Sequence, residues 1–234
     1  MPAPVGVPAV NWDHPLSVGL AFCAGPYSAW TDLVRGIRPS AAPVTAHGVA
    51  AYGRTSTTDG TNQVTYASTA TPHLDFTTAP FSVLWVGSVA ATAGVYPLGP
   101  GRTNYVSEAS NNGWVFAVRA DADTKPGLVL QPMANNGVAV YGAGNAGAGA
   151  VTNGKQFVAL AVSTGAPAQS LYLNGARVAT ATSANPVSAG STSLVIGGNA
   201  TAAQTHVAIW ARALSAAEAA QLASDPFCFL RSSS

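Results

Sequence analysis

Apolar and polar residues alternate along the last quarter of the chain. In the segments 170–175 (SLYLNG), 193–198 (SLVIGG) and 206–210 (HVAIW), apolar side chains fall on every second position, at Leu171, Leu173, Leu194, Ile196, Val207 and Ile209. This spacing predicts short β-strands with one buried face. Asn174-Gly175, directly after the first run, supplies the positive φ angles of a tight hairpin turn.

The third of these runs leads directly into a predicted helix, within the segment 206–222 (HVAIWARALSAAEAAQL). Ser215 is followed three residues later by Glu218, which is the spacing of a capping box at a helix start. Leu214 and Leu222 are the residues expected to hold this helix against the strands. The pattern predicts a short C-terminal helix that docks on a sheet.

Upstream, further apolar or alternating runs are separated by turn-forming pairs such as Asp59-Gly60 and Asn112-Gly113. These runs cover residues 83–89, 114–119, 127–131, 138–141 and 156–162. Regular strands with hardly any helix predict an all-β fold, an antiparallel jelly-roll β-sandwich with one short C-terminal helix. The 234 residues are expected to form one sandwich over 11–230, with an extended, proline-containing N-terminal arm at 1–10 and a tail at 231–234.

The order of these elements, together with the arginine and leucine of WARALSAAEAAQL, resembles the concanavalin A-like lectin/glucanase superfamily in its laminin G-like form, found in bacterial and bacteriophage proteins. Further matches lie in the same order upstream, at residues 14–16 (HPL), 19–22 (GLAF), 59–62 (DGTN) and 81–86 (FSVLWV). The resemblance spans about residues 11–230. It implies the fold and says little about the ligand.

Charged residues make up only 8% of the chain and the net charge is +1, whereas an ordinary soluble domain has about 25% charged residues. Lys125 and Lys155 are the only lysines, and the arginines are scattered. Without a basic patch, we expect no nucleic-acid partner. A surface poor in charge favours association, so we predict a homo-oligomer or many-copy assembly; action outside a cell is the alternative explanation.

The first nine residues lack the basic start and apolar core of a secretory signal. No run approaches the roughly 20 apolar residues of a membrane span, so we expect no membrane partner. The resemblance places Cys23 and Cys228 in segments that lie close together, which makes a disulfide conceivable. Two free cysteines are the favoured interpretation, because free cysteine is usually buried like a small apolar residue.

Catalytic residues are not apparent. The resemblance implies that a glucanase would carry Glu-x-Asp-x-Glu on one strand, but Glu108 and Glu218 are the only glutamates. The nearest acidic spacing, Asp121-Ala122-Asp123, is expected in a solvated turn. The histidines are widely spaced, at His14, His47, His73 and His206. We predict that the protein is not an enzyme and that His14 has a structural role, with His206 undecided.

A metal site or cofactor is also not expected. Calcium needs six to eight oxygen ligands, and the candidate carboxylates are isolated in sequence, at Asp13, Asp32, Asp59 and Asp75. Asp59 is expected to fix a turn instead. Calcium remains the alternative to be tested.

A glycan platform is the remaining candidate site. Sugar binding uses an exposed aromatic ring with nearby amides, which are offered by Tyr105, Asn111, Asn112 and Trp114, with Tyr141 from the following hairpin. The favoured interpretation is nevertheless that Trp114 and Tyr141 are core or cross-strand residues flanking turns. The other tryptophans, Trp12, Trp85 and Trp210, are expected in the core, and Trp30 is undecided.

The family context predicts a non-enzymatic structural or adhesive virion component of a bacteriophage, such as a capsid decoration, head-fibre or tail-associated protein. It would be made in the host cytoplasm, be located in the virion and contact other virion proteins. A carbohydrate-binding module for a bacterial surface polysaccharide, with cell-surface glycans as its partners, is the alternative. A degenerate glucanase is third. Fold alone does not decide among these functions.

Overall fold

The computed structural model describes residues 8–42, 47–59, 62–76, 79–89, 100–102, 113–120, 126–133, 154–164, 168–182, 193–197 and 201–232. The strands are β1 (Pro8–Val10), β2 (Leu20–Ala24), β3 (His47–Ala50), β4 (Gly53–Thr58), β5 (Val64–Tyr66), β6 (Phe81–Val89), β7 (Pro100–Arg102), β8 (Gly113–Ala120), β9 (Pro126–Met133), β10 (Phe157–Ser163), β11 (Ala168–Leu173), β12 (Ala176–Thr182), β13 (Leu194–Ile196), β14 (Ala202–Trp210) and β15 (Leu230–Ser232). The α-helix is α1 (Ala216–Ser224), and the 3-10 helices are Pro15–Ser17, Pro26–Ser28, Ser68–Ala70 and Pro72–Leu74.

The strands form two large antiparallel sheets. The first has the order β12-β11-β10-β6-β14-β4-β3. Strand β4 pairs with the first residues of β14, 202–204, and β2 pairs with its last residues, 207–210. The second has the order β5-β13-β7-β8-β9. The predicted antiparallel β-sandwich with one C-terminal α-helix is therefore confirmed. Four of the predicted upstream runs overlap β6, β8, β9 and β10, whereas 138–141 lies outside the described residues.

The main core lies between the two sheets. In the central strands of the first sheet, Trp85 on β6 stands opposite Ala159 on β10 and Val207 on β14. All three side chains are buried in one cluster with Trp114 and Phe116 of the second sheet. Leu171, Leu173, Leu194, Ile196 and Ile209 join the same cluster, so the alternation in the sequence marks the face between the sheets.

The outer face of the first sheet is covered as well. Tyr172, Ala208 and Trp210 occupy the intervening positions and are buried in a second cluster with Leu222 of α1 and Phe229. The helix lies against β10 and β12. The central strands are therefore buried on both faces, and the prediction of one buried face was incomplete. No helix in the described part of the chain is long and apolar enough to cross a membrane.

The start of α1 confirms the predicted capping box. The Ser215 hydroxyl accepts a hydrogen bond from the Glu218 amide at 3.3 Å, and the Glu218 carboxylate accepts one from the Ser215 amide at 2.8 Å. Arg212 forms an ion pair with Glu218 at 2.6 Å and donates to the Val18 carbonyl at 2.7 Å. Burial acts to raise the pKa of Glu218, but the hydrogen bonds from Arg212 and Ser215 outweigh burial and lower it.

The hairpin between β11 and β12 also follows the sequence prediction. Asn174 and Gly175 have φ angles of 48° and 83°, as a two-residue hairpin turn requires. The Asn174 side chain accepts a hydrogen bond from the Val158 amide at 2.9 Å, which fixes the turn to β10. A Cβ atom on Gly175 would lie 3.0 Å from the Cβ of Ala223, so the helix packs closely over this turn.

The two ends of the described chain pair with each other. Strands β1 and β15 form a two-stranded antiparallel sheet, in which Pro8 lies opposite Ser232 and Val10 opposite Leu230. Val10 is buried in the outer cluster. Residues 8–10 and 230–232 are therefore paired with each other, and the predicted domain boundaries stay a prediction. The rest of the predicted arm lies outside the described residues.

Candidate functional site

The predicted glycan platform is described at only one of its residues. Trp114 is 0% exposed, and its indole N–H donates to the Leu74 carbonyl at 2.7 Å. Its ring packs beside Phe76 and Phe81 in the core. Because β8 lies against the first sheet, the ring has no face available to a sugar, which agrees with the favoured interpretation of Trp114 as a core residue. Tyr105, Asn111, Asn112 and Tyr141 lie outside the described residues.

The other tryptophans divide into buried and exposed. Trp85 and Trp210 are buried as expected, and Trp30, which sequence left undecided, is buried too. Trp12 is 56% exposed, so its predicted place in the core is wrong. It lies beyond the end of β1 in a turn, where strand alternation does not apply. The turn-forming Asn11 and Asp13 on either side were the sequence signal for this position.

Trp12 stands at the tip of a β-turn formed by residues 11–14, which we call the Trp12 turn. The His14 amide donates to the Asn11 carbonyl at 3.0 Å, so Trp12 and Asp13 occupy the two central positions. The Asn11 side-chain oxygen accepts a hydrogen bond from the Asp13 amide at 3.3 Å. Both central side chains are exposed. The turn therefore exposes an indole ring and a carboxylate on consecutive residues.

Hydrogen bonds fix the Trp12 turn to the core. The Asn11 amide donates to the Phe229 carbonyl at 2.9 Å, and the Ser17 hydroxyl donates to the Asn11 carbonyl at 2.6 Å. His14 caps the following 3-10 helix by accepting from the Leu16 amide at 3.2 Å, the structural role that sequence predicts. The buried Trp210 indole donates to the Leu16 carbonyl at 2.6 Å. A fixed backbone lowers the entropy that ligand binding would cost.

Helix α1 contributes a polar neighbour to this turn. The Gln221 side-chain nitrogen lies 3.5 Å from the His14 Nε2 atom, so the exposed face of α1 adjoins the turn. Gln221 is exposed and offers both a donor and an acceptor. The Asp13 carboxylate forms no ion pair with a described residue. The Trp12 turn thus carries an exposed carboxylate that a ligand can use as an acceptor, and Gln221 adjoins it at His14.

A second polar group of residues is buried and does not form a reactive site. The Tyr27 hydroxyl lies 2.5 Å from His206 Nδ1 and 3.7 Å from the Cys23 sulfur. The His206 ring packs against Phe227 and Phe229, and burial lowers its pKa to about 3. Because His206 has no exposed surface, it has no route to a substrate. The sequence left His206 undecided, and its surroundings indicate a structural role.

The described carboxylates do not converge. Asp32 accepts hydrogen bonds from the Cys23 and Val34 amides, each at 3.0 Å. Asp59 accepts one from the Asn62 amide at 2.9 Å and fixes the turn there, as predicted. No group of three histidine, cysteine or acidic side chains that could hold a metal occurs in the described ranges. Glu108, Asp121 and Asp123 lie outside them. Cys23 and Cys228 are both free.

We expect the melting temperature to stay unchanged when a calcium chelator or a reductant is added. The free cysteines leave no bond between them for the reductant to break. Calcium binding would stabilise the folded state by mass action, and the described residues hold no group of three side chains that could bind it. Differential scanning calorimetry with and without each reagent checks this. A loss of several degrees with the chelator would demonstrate a calcium site.

The two antiparallel sheets, with an aromatic ring presented at a surface turn, define a lectin-like β-sandwich. The chain belongs to the concanavalin A-like lectin/glucanases superfamily, because a laminin G domain model of that superfamily matches residues 59–220. The sequence resemblance is thereby confirmed. No curated protein sequence matches the chain.

Solved structures similar to the chain include lectin-like binding domains. The binding domain of Paraclostridial Mosquitocidal Protein 1 is 12% identical with a TM-score of 0.70, over 91% of this chain and 53% of that one. The binding domain of Botulinum Neurotoxin DC in complex with SialylT is 13% identical with a TM-score of 0.63, over 88% and 51%. The chain therefore spans about half the length of these toxin domains.

A third similar structure matches over its whole length. Domain 4 of AbnA, a GH43 extracellular arabinanase from Geobacillus stearothermophilus, in complex with arabinotriose, is 12% identical with a TM-score of 0.60. The match covers 87% of this chain and 98% of that one. At such identities the three similarities show the fold alone.

Proposed function

We propose that the chain is a non-enzymatic carbohydrate-binding module. The observation that carries this proposal is the indole of Trp12, 56% exposed at the tip of a turn that is fixed to the core. The structural neighbour in complex with arabinotriose supports the same class of function. This is the alternative that the sequence analysis set beside a virion component.

The surroundings of Trp12 favour a sugar over a protein partner. A sugar ring has an apolar face of C–H groups and a rim of hydroxyls, which matches one aromatic ring with polar neighbours. Asp13, Gln221 and His14 provide those neighbours. A stable protein interface needs a buried area of about 1,000 Å² or more with an apolar centre, whereas the residue next to Trp12 in the turn is the exposed Asp13.

A binding role without catalysis is supported by the state of the acidic groups. Hydrolysis of a glycosidic bond generally needs two carboxyl groups about 5 to 9.5 Å apart on either side of the bond. Glu218 is held by Arg212 and Ser215 at the helix start, and Asp32 is buried beneath backbone amides. Both groups are therefore engaged by contacts within the fold.

The virion component predicted from family context stays a prediction, as do its virion location, its self-association and its virion partners. The fold and the structural neighbours carry no information about a virus. The low charge of the chain, 8% of residues, is compatible with a many-copy assembly. A carbohydrate-binding role is the one that residues at the surface support.

The proposal is tested by a glycan array probed with the wild-type protein, Trp12→Ala and Val49→Ala. Val49 on β3 is 87% exposed and serves as the matched control for loss of an exposed apolar side chain. Removing the indole should weaken binding roughly 10- to 100-fold, because the complex then lacks the burial of one large apolar side chain. The Val49 variant should bind like the wild type.

Two results would contradict the proposal. Absence of selective binding by the wild-type protein would exclude a carbohydrate-binding module. A self-associating protein that becomes monomeric on Trp12→Ala, without any change in glycan binding, would make the exposed indole a contact between copies. Size-exclusion chromatography of both proteins at high concentration separates these cases.

A further inference from the structure

Asp13 gives the Trp12 turn a charge that sets the kind of sugar it accepts. Its carboxylate is exposed next to the indole and has no ion-pair partner among the described residues. Arg212 is already paired with Glu218 at 2.6 Å. Arg231 lies opposite Ala9 on β15 and forms no ion pair with Asp13 in the described structure. The turn therefore presents a carboxylate that no cation in the described part of the chain pairs with.

We infer that the Trp12 turn binds uncharged sugars and discriminates against sugars that carry a carboxylate. This inference rests on the proposed function. An ionised carboxylate only accepts hydrogen bonds, and sugar hydroxyls donate them. A neutral sugar stacked on Trp12 can therefore donate hydroxyl protons to Asp13. A sialic or uronic acid would bring a second negative charge to the same place.

The position of Asp13 makes this discrimination direct. Trp12 and Asp13 are the two central residues of one turn, so a ring stacked on the indole lies within reach of the adjacent side chain. The Asp13 amide donates to the Asn11 side-chain oxygen at 3.3 Å. The Asp13 carboxylate forms no ion pair with a described residue and is therefore available to a ligand. The Gln221 amide, beside His14, can donate to a further hydroxyl or accept from it.

The test uses pairs of oligosaccharides that differ only in a terminal N-acetylneuraminic acid. Affinities are measured by isothermal titration calorimetry for the wild type, Asp13→Asn, Asp13→Glu and Arg231→Gln. The wild type should prefer the neutral member of each pair. Asp13→Asn should weaken neutral binding about tenfold, because the charged acceptor of the hydrogen bond becomes a weaker neutral one. It should also bring the affinities for the neutral and the sialylated sugar closer together.

The remaining variants separate charge at this position from other causes. Asp13→Glu keeps the carboxylate and should keep the preference, and Arg231→Gln should leave it unchanged. High salt should reduce the discrimination in the wild type, because screening weakens repulsion between exposed charges. Melting temperatures confirm that each variant is folded.

Two outcomes would overturn the inference while leaving the proposed function intact. One is a wild-type preference for the sialylated member. The other is an Asp13→Asn variant with both affinities unchanged although Trp12→Ala abolishes binding. A preference that is lost in Arg231→Gln and kept in Asp13→Asn would assign selection to the arginine. Failure of the wild type to bind any glycan would overturn both proposals together.

Discussion

Acidification from pH 7 to pH 3 should destabilise the protein by about 5 kcal/mol through His206 alone. Burial lowers the pKa of His206 from 6.5 to about 3 in the folded protein, and each pKa unit corresponds to about 1.4 kcal/mol. The unfolded chain takes up a proton near pH 6.5, whereas the folded chain resists it until about pH 3. The free energy of unfolding is therefore unaffected by His206 above pH 6.5 and decreases progressively between pH 6.5 and 3.

Two carboxyl groups, Asp32 and Glu218, also contribute to the pH dependence of stability. Burial raises the pKa of Asp32, so its effect favours the folded state as the pH falls and offsets part of the loss. The pKa of Glu218 is lowered by Arg212 and Ser215 against the effect of burial, so protonation of Glu218 adds a further loss below its unfolded value. His206 and Asp32 therefore act in opposite directions as the pH falls, and the His206→Gln variant isolates the share of His206.

Urea unfolding at a series of pH values checks this prediction. His206→Gln removes the titrating ring and keeps a polar group next to Tyr27, so its stability should vary much less between pH 6.5 and 5. His47→Gln is the matched control, because His47 is exposed on the edge strand β3, and it should retain the wild-type slope. An unchanged slope in His206→Gln would show that the pH dependence arises elsewhere.

Truncation of Leu222 should cost about 2 to 5 kcal/mol, the range for a buried leucine replaced by alanine. Leu222 is fully buried on α1 in the cluster that covers the outer face of the first sheet. Ser215→Ala removes the cap and should cost about 0.5 to 2 kcal/mol. The larger cost for Leu222 follows because helix docking covers the central strands, whereas capping affects one helix end.

Chemical denaturation measures both free energies, with Gln221→Ala as the control on the same helix. Gln221 is exposed, so its stability effect should lie within about 0.5 kcal/mol. Equal and negligible effects for Leu222→Ala and Ser215→Ala would show that the helix does not dock in solution.

The sequence could predict features that depend on neighbouring residues. The Ser215 and Glu218 cap and the Asn174-Gly175 hairpin each follow from a few adjacent positions, and both occur in the structure. The strand runs were predictable because alternation reports a buried face directly. Trp210 is buried as the sequence predicted. It lies in the cluster on the outer face of the first sheet, however, and not in the core between the two sheets.

The sequence could not predict features that depend on distant pairing. Strand β1 forms because β15, more than 200 residues later, runs beside it. The three residues of β1 are too few for an alternating pattern to predict a strand. The end of β1 decides that Trp12 stands in a turn and is exposed. The burial of Trp114 agrees with the favoured interpretation, although the packing of the second sheet that buries it depends on distant pairing.

The antiparallel pair of β1 and β15 determines how the molecule would respond to mechanical load. Pro8 and Ser232 lie side by side, so a force that separates the two ends pulls the hydrogen bonds of this pair apart one after another, as in a zipper. The next bond in line joins Asn11 to Phe229. Tension on the two ends would thus loosen the Trp12 turn while the long strands of the sandwich stay paired. A ligand bound at this turn would therefore be released before the domain unfolds.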